Sequence, residues 1–207
     1  MLVFDASGSM GTTDFSAKKP HIARVKDAMR AVIPEIPPER KVGLIVYGQG
    51  AYNKCDSIEL KLKPERLAGP AIMQEVEKIT PAGRTPLTQS VSEAAEVLNY
   101  RENPSVIVLL TDGEETCGGK PCDLARQLKA SGKDITVHVI GYRNKEAGGL
   151  SDTFGASCLA SETGGLYLRV ETVDQLTDAL RKTMTCPLFT EKGSGPSVPL
   201  ERHAKAP

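Results

Sequence analysis

Asp5, Ser7 and Ser9 stand at alternate positions directly after an apolar run, in the stretch Phe4-Asp5-Ala6-Ser7-Gly8-Ser9-Met10-Gly11. Oxygen-bearing side chains placed where a strand gives way to a loop can converge on one hard cation. Mg²⁺ takes roughly six oxygens in near-octahedral array and accepts neutral hydroxyls and waters, so an Asp with two serines suits it where Cys or His would not. Gly8 and Gly11 let the backbone fold tightly around such an ion. The same Ser-Gly-Ser also reads as plain turn chemistry, so the assignment needs support from other parts of the chain.

Two further segments supply it. Thr85 lies in the loop Gly83-Arg84-Thr85-Pro86-Leu87, and Asp112 in Thr111-Asp112-Gly113. Each has a plainer reading beside the functional one. Thr85 ahead of Pro86 makes a good N-cap followed by proline at the first helical position, and Asp112 ahead of Gly113 makes a good turn residue. What favours a common site is the set of elements that must carry these residues.

The chain alternates short β-branched runs with amphipathic stretches. Strands are expected at 1–4, 41–47, 105–110, 135–142 and 165–170. The run Lys41 to Tyr47 is apolar almost throughout, as a strand covered on both faces of a parallel sheet should be. Ser57 to Lys63 alternates instead, which predicts an edge strand with Ile58, Leu60 and Leu62 on one face. Its short link from Tyr47 makes it antiparallel. Apolar residues at helical spacing predict helices over about 21–33, 70–79, 87–98, 121–131, 156–162 and 172–184, the last opened by a capping box of Thr172 and Gln175. The expected fold is therefore α/β: a doubly wound, Rossmann-like sheet, mostly parallel with one antiparallel edge strand and with helices on both faces. Such sheets bind ligands beyond the carboxyl ends of their strands, where the strand order reverses. The segments holding Asp5, Ser7, Ser9, Thr85 and Asp112 all belong at that address.

Here the sequence resembles the von Willebrand factor A domain with its metal-ion-dependent adhesion site. The resemblance rests on Asp-x-Ser-x-Ser after the first strand, Gly-x-Thr-Pro-Leu, and Thr-Asp-Gly after the central strand, in that order, and it covers about residues 2–186. Thr-Asp-Gly-Glu-Glu-Thr-Cys followed by Pro-Cys resembles a bacterial subgroup. The resemblance implies that Ser7, Ser9 and Thr85 coordinate Mg²⁺ through hydroxyls, with Asp5 and Asp112 acting directly or through water. Mn²⁺ and Ca²⁺ are the expected substitutes, the larger Ca²⁺ fitting less well. An incompletely neutralised cation keeps affinity for an acidic side chain, so the expected function is metal-dependent recognition of a protein partner that presents Asp or Glu, in adhesion or assembly. Arg84, Tyr52 and Glu115 are the expected partner-binding rim. The rival within this class is an intracellular partner of an AAA+ ATPase, of chaperone or metal-insertion type.

An enzyme is not expected. Ser7-Gly8-Ser9-Met10-Gly11 nearly matches a nucleophile elbow, and Asp112 with His138 keeps hydrolase order. The first glycine is replaced by Ser7, however, and His138 sits among valines inside a strand, where a structural histidine is the better reading. An aspartyl phosphatase would want a second carboxylate where Ser7 stands.

Composition excludes other classes. Lys+Arg and Asp+Glu both number 26, so the formal net charge is zero and there is no basic field to attract nucleic acid. No apolar run is long enough to span a membrane. The first strand reads as clipped from a longer protein with its leader missing. The domain is expected over 1–186, with 187–207, which contains Pro and Gly, as a tail or linker.

The chain has five cysteines. Cys117 and Cys122 bracket a Gly-Gly turn and are expected to pair, Cys55 and Cys158 are the expected second pair, and Cys186 is left over. Disulfides persist outside the reducing cytosol, so this pattern predicts a periplasmic or extracellular domain.

Overall fold

The computed structural model describes residues 1–13, 18–142 and 155–185. Residues 186–207, which include Cys186 and the expected linker, lie outside the described residues. The strands are β1 (Leu2–Asp5), β2 (Val42–Tyr47), β3 (Ile58–Glu65), β4 (Ser105–Thr111), β5 (Ile135–Tyr142) and β6 (Tyr167–Val170). The helices are α1 (His21–Val32), α2 (Gly69–Lys78), α3 (Leu87–Val97), α4 (Pro121–Ser131), α5 (Ser157–Thr163) and α6 (Val173–Met184).

The strands form one six-stranded sheet in the order β3-β2-β1-β4-β5-β6. Every pairing is parallel except β2 with β3. This is the expected doubly wound sheet. Both faces are buried, so side chains that alternate along each strand enter two cores. Leu2, Phe4, Leu44, Val46, Val108 and Leu110 pack against α1, α2 and α6. Val3, Ile45, Tyr47, Ile107, Leu109 and Val137 pack against α3, α4 and α5. Such two-sided burial is why these runs read as continuously apolar instead of alternating.

The edge strand corrects one expectation. Leu62 packs with the α1 side and Ile58 with the α3 side, while Leu60 is exposed. The pairing steps from Leu44 with Leu62 to Ile45 with Leu60, so Lys61 is an extra residue that swings the strand by one position. A one-residue slip sends side chains to the opposite face. Gly43 sits beside this irregularity. A Cβ there would lie 2.7 Å from the Leu62 carbonyl oxygen, so only glycine permits the approach.

The expected capping box is present. The Thr172 hydroxyl accepts from the Gln175 amide, and the Gln175 side chain accepts from the Thr172 amide. His138 is structural, as expected: its Nδ1 accepts the Leu166 N–H at 3.0 Å, and burial holds its pKa low.

Strand order reverses between β1 and β4. The chain moves outward from β1 to β2 and β3, then returns to the other side of β1 as β4. Loops leaving the carboxyl ends of these neighbours diverge, which opens a crevice between them.

Candidate metal centre

The crevice is built from backbone before any side chain enters it. Past Asp5, the Ala6 amide still donates to the Tyr47 carbonyl at 2.8 Å, and Ser7 then bridges Gly83 in parallel fashion. Gly8 donates to the Gly83 carbonyl at 2.9 Å, Gly83 to the Gly48 carbonyl at 2.6 Å and Ala82 to the Ala6 carbonyl at 3.2 Å. Three loops from separate parts of the sequence thus share one small ladder. Gly48 has a φ of +85°, and a Cβ on it would lie 2.6 Å from the Ser7 nitrogen, so the contact admits no side chain. Gly8–Gly11 forms a short 3-10 turn that drops Met10 into the core.

Side chains then converge. Asp5 is fully buried, accepting the Ser7 N–H at 2.8 Å on Oδ1 and the Thr111 hydroxyl at 2.6 Å on Oδ2. Asp112 accepts the Ser9 hydroxyl at 2.6 Å on Oδ1, and its Oδ2 lies 2.9 Å from Nδ1 of His21. The hydroxyls of Ser7 and Ser9 are 3.0 Å apart. Because Ser9 has one proton and gives it to Asp112, Ser7 must donate to Ser9, and lone pairs stay open on both oxygens. Burial, and after it the charge of Asp112, pushes the Asp5 carboxyl up to about 6. Burial and then the Asp5 charge raise the neighbouring Tyr47 hydroxyl well above its ordinary value.

Thr85 completes the group. Its amide donates to Thr116 Oγ1 at 2.8 Å, and it lines one hollow of about 430 Å³ with Ser7 and Ser9. The capping reading of Thr85 does not hold, since α3 starts at Leu87 with Pro86 as N-cap and no side-chain cap bond. The Thr85 hydroxyl therefore has no hydrogen-bond partner among the described residues. Two carboxylates and three hydroxyls make an all-oxygen donor set, which fits Mg²⁺ or Mn²⁺ and offers nothing to a thiophilic ion. No group of three His, Cys, Asp or Glu side chains among the described residues is placed to hold a metal, so any cation bound here depends on the hydroxyls.

A sequence profile of the von Willebrand factor type A domain matches residues 1–182. The chain belongs to that family. This A domain is similar to YwmD, an uncharacterized protein of Bacillus subtilis (strain 168), at 27% identity over 190 residues, 87% of this chain and 82% of YwmD. Its fold is similar to that of a von Willebrand factor type A protein from Catenulispora acidiphila, with TM-score 0.63 and 17% identity over 88% of this chain and 41% of that one. It is also similar to proximal thread matrix protein 1 of the mussel byssus, solved with a zinc-occupied MIDAS motif, with TM-score 0.60 and 19% identity over 88% of this chain and 43% of that one. The A domain thus spans less than half the length of these two structures.

The disulfides differ from expectation. In this A domain Cys55 pairs with Cys117 and Cys122 with Cys158, at Cα separations of 5.7 Å and 5.2 Å. The expected pairs Cys117–Cys122 and Cys55–Cys158 do not form. Cys122 already belongs to the first turn of α4 and faces α5, whereas Cys117 precedes the turn at Gly118 and faces the β2–β3 loop. Closing these longer loops stabilises by about 4 kcal/mol each in the chain-entropy account, roughly twice what the short loop would give.

The three rim residues also separate. Arg84 and Tyr52 line the same hollow as Ser7, Ser9 and Thr85, and both are exposed. Glu115 does not share this role. Its Oε2 accepts the Thr88 amide at 2.7 Å in the first turn of α3, and its Oε1 accepts the Cys117 amide at 2.7 Å. A carboxylate at a helix amino end is stabilised by the helix dipole and satisfies free amides, so Glu115 supplies the cap that Thr85 does not. Sequence reasoning missed His21 and Thr111. Thr111 had a signal, its place beside Asp112, but His21 reaches the site only through the packing of α1.

Proposed function

We propose that this A domain is a divalent-cation-dependent protein-binding module, with Asp5, Ser7, Ser9, Thr85 and Asp112 holding one Mg²⁺ or Mn²⁺ ion. The observation that carries this reading is the Ser7–Ser9–Asp112 hydrogen-bonded chain, whose two serines line one hollow with Thr85 and its unbonded hydroxyl. When bound, the cation supplies an electrophilic coordination position for an acidic side chain of a partner. The protein's own residues prepare that position: Thr111 and the Ser7 amide fix Asp5, and His21 fixes the far oxygen of Asp112. The zinc-occupied MIDAS motif of proximal thread matrix protein 1 supports a divalent ion at a site of this fold.

The arrangement does not favour a hydrolase. Ser9 gives its proton to Asp112 and not to a histidine, and His138 lies within β5, bonded to Leu166. Two disulfides support a periplasmic or extracellular setting over the intracellular ATPase partnership. Among the described residues no helix is long and apolar enough to cross a membrane.

Isothermal titration of chelator-stripped protein with Mg²⁺ and with Mn²⁺ tests the reading. One binding event is expected, lost in Thr85→Ala while circular dichroism stays native. Equal binding by a folded Thr85→Ala variant would place the ion elsewhere.

A further inference from the structure

The hollow lined by Ser7, Ser9 and Thr85 continues along Tyr52, Asn53, Arg84 and Thr116. Two of these have the character of recognition residues. Tyr52 is 85% exposed, the largest exposure among the big hydrophobic side chains of the described residues. Arg84 is exposed and forms no ion pair or hydrogen bond among the described residues. Tyrosine and arginine are the types most enriched where a few side chains dominate a protein interface.

Both stand on backbone that is already fixed. Gly83, just before Arg84, is hydrogen-bonded to Gly8 and Gly48, and Thr85, just after it, is held by Thr116. Tyr52 sits in a turn closed by the Lys54 amide and the Ala51 carbonyl at 3.0 Å. That turn is enclosed by the Gly48–Ser57 backbone bond and tied by Cys55–Cys117 to the loop that follows Asp112. A backbone already fixed spares binding the cost of ordering the loops that carry these side chains.

Arg84 and Thr85 are consecutive, yet Thr85 is buried toward the cation site and Arg84 is exposed. A carboxylate that pairs bidentately with a guanidinium has both its oxygens engaged, so the acid taken by Arg84 is a different one from the acid directed to the cation. A guanidinium is always charged and is best satisfied by a carboxylate taken bidentately.

We infer that the rim recognises a partner segment with two acidic side chains, one directed to the cation and the second paired with Arg84, while Tyr52 packs on the chain between or beside them. This rests on the proposed function and specifies its ligand: an acidic peptide segment with a spaced pair of carboxylates. Arg84 and Tyr52 are then specificity-determining residues, and the Cys55–Cys117 bridge holds one of them in place.

Selection of phage-displayed random peptides on the immobilised domain in Mg²⁺, with elution by chelator, is the test. Wild-type protein should yield peptides dominated by two acidic positions. Arg84→Glu should still bind one cation by titration, but its selected peptides should keep a single acid and lose the second. For one two-acid peptide, Arg84→Ala should weaken binding roughly ten- to hundredfold, as expected for loss of a hydrogen-bonded charge. Tyr52→Ala should weaken it by about fivefold or more, with Tyr52→Phe close to wild type. Single-acid peptides recovered equally by wild type and Arg84→Glu would overturn the inference while leaving cation-mediated binding intact. Recovery of no chelator-eluted peptide from metal-loaded wild type would remove the functional reading and this inference with it.

Discussion

The two ends of the sheet make opposite use of a hollow. At the amino end, Ile33, Pro34, Ile36, Leu67 and Met73 border a space of about 630 Å³ between the connection into β2 and the start of α2. At the carboxyl end the space is smaller, about 430 Å³, and Ser7, Ser9, Thr85 and Thr116 line it. Size alone therefore favours the end without the oxygen donors. The amino-end hollow offers apolar carbon, with Arg40 donating to the Met184 carbonyl at its border. The carboxyl-end loops instead satisfy each other's backbone groups, as Gly8, Gly83 and Gly48 do, and so leave side-chain oxygens free for an outside ligand. A hollow gains chemistry when its donors are not already used, and Thr85 is the residue that meets this condition most plainly.

The largest expected effect breaks the carboxyl end outright. Asp112→Ala removes the acceptor shared by Ser9 and His21, and titration with Mg²⁺ should then show no binding event. Undiminished affinity would exclude Asp112 from the site.

Damage at the opposite end should do the reverse. Ile33→Ala deletes a buried side chain beside the apolar hollow and should cost roughly 2–4 kcal/mol in chemical denaturation. Cation affinity of the folded variant should stay at the wild-type value. A parallel loss of affinity would mean that the two ends are coupled through the sheet.

The two disulfides sharpen the contrast within the carboxyl half. Replacing either pair with serines should lower stability by about 2–4 kcal/mol. Only loss of Cys55–Cys117, which ties the Tyr52 turn to the loop after Asp112, should also increase protease cleavage between Ala51 and Ser57. Equal cleavage after loss of Cys122–Cys158 would show that the turn is held by its backbone bonds alone.

The smallest effect concerns a residue beside the donors. His21→Gln cannot place a donor where Nδ1 stands, and it should weaken cation binding by about tenfold, as the loss of a group that orients a ligand does. His21→Asn, whose amide nitrogen occupies nearly the Nδ1 position, should restore most of it. Equal behaviour of the two variants would reduce His21 to a packing role.

Local patterns in the sequence determined much of this A domain. Apolar runs such as Lys41 to Tyr47 carry their two-sided burial in their composition, and the Thr172–Gln175 cap depends only on residues three apart. The spacing of Asp5, Ser7 and Ser9 set them at the end of β1 and on the loop that follows it, and the parallel fold sent Thr85 and Asp112 to the same end. Tertiary structure decided the rest, because each remaining feature depends on partners distant in sequence. The cysteine pairs followed the direction of α4, which turned Cys122 toward Cys158 and left Cys117 to Cys55. Glu115 became a helix cap because α3 starts beside it, although 27 residues separate it from Thr88. His21 met Asp112 across 91 residues, through the packing of α1 alone. The extra residue at Lys61 exchanged the faces of Ile58 and Leu62, because alternation within one strand cannot register a slip that exists only against its neighbour.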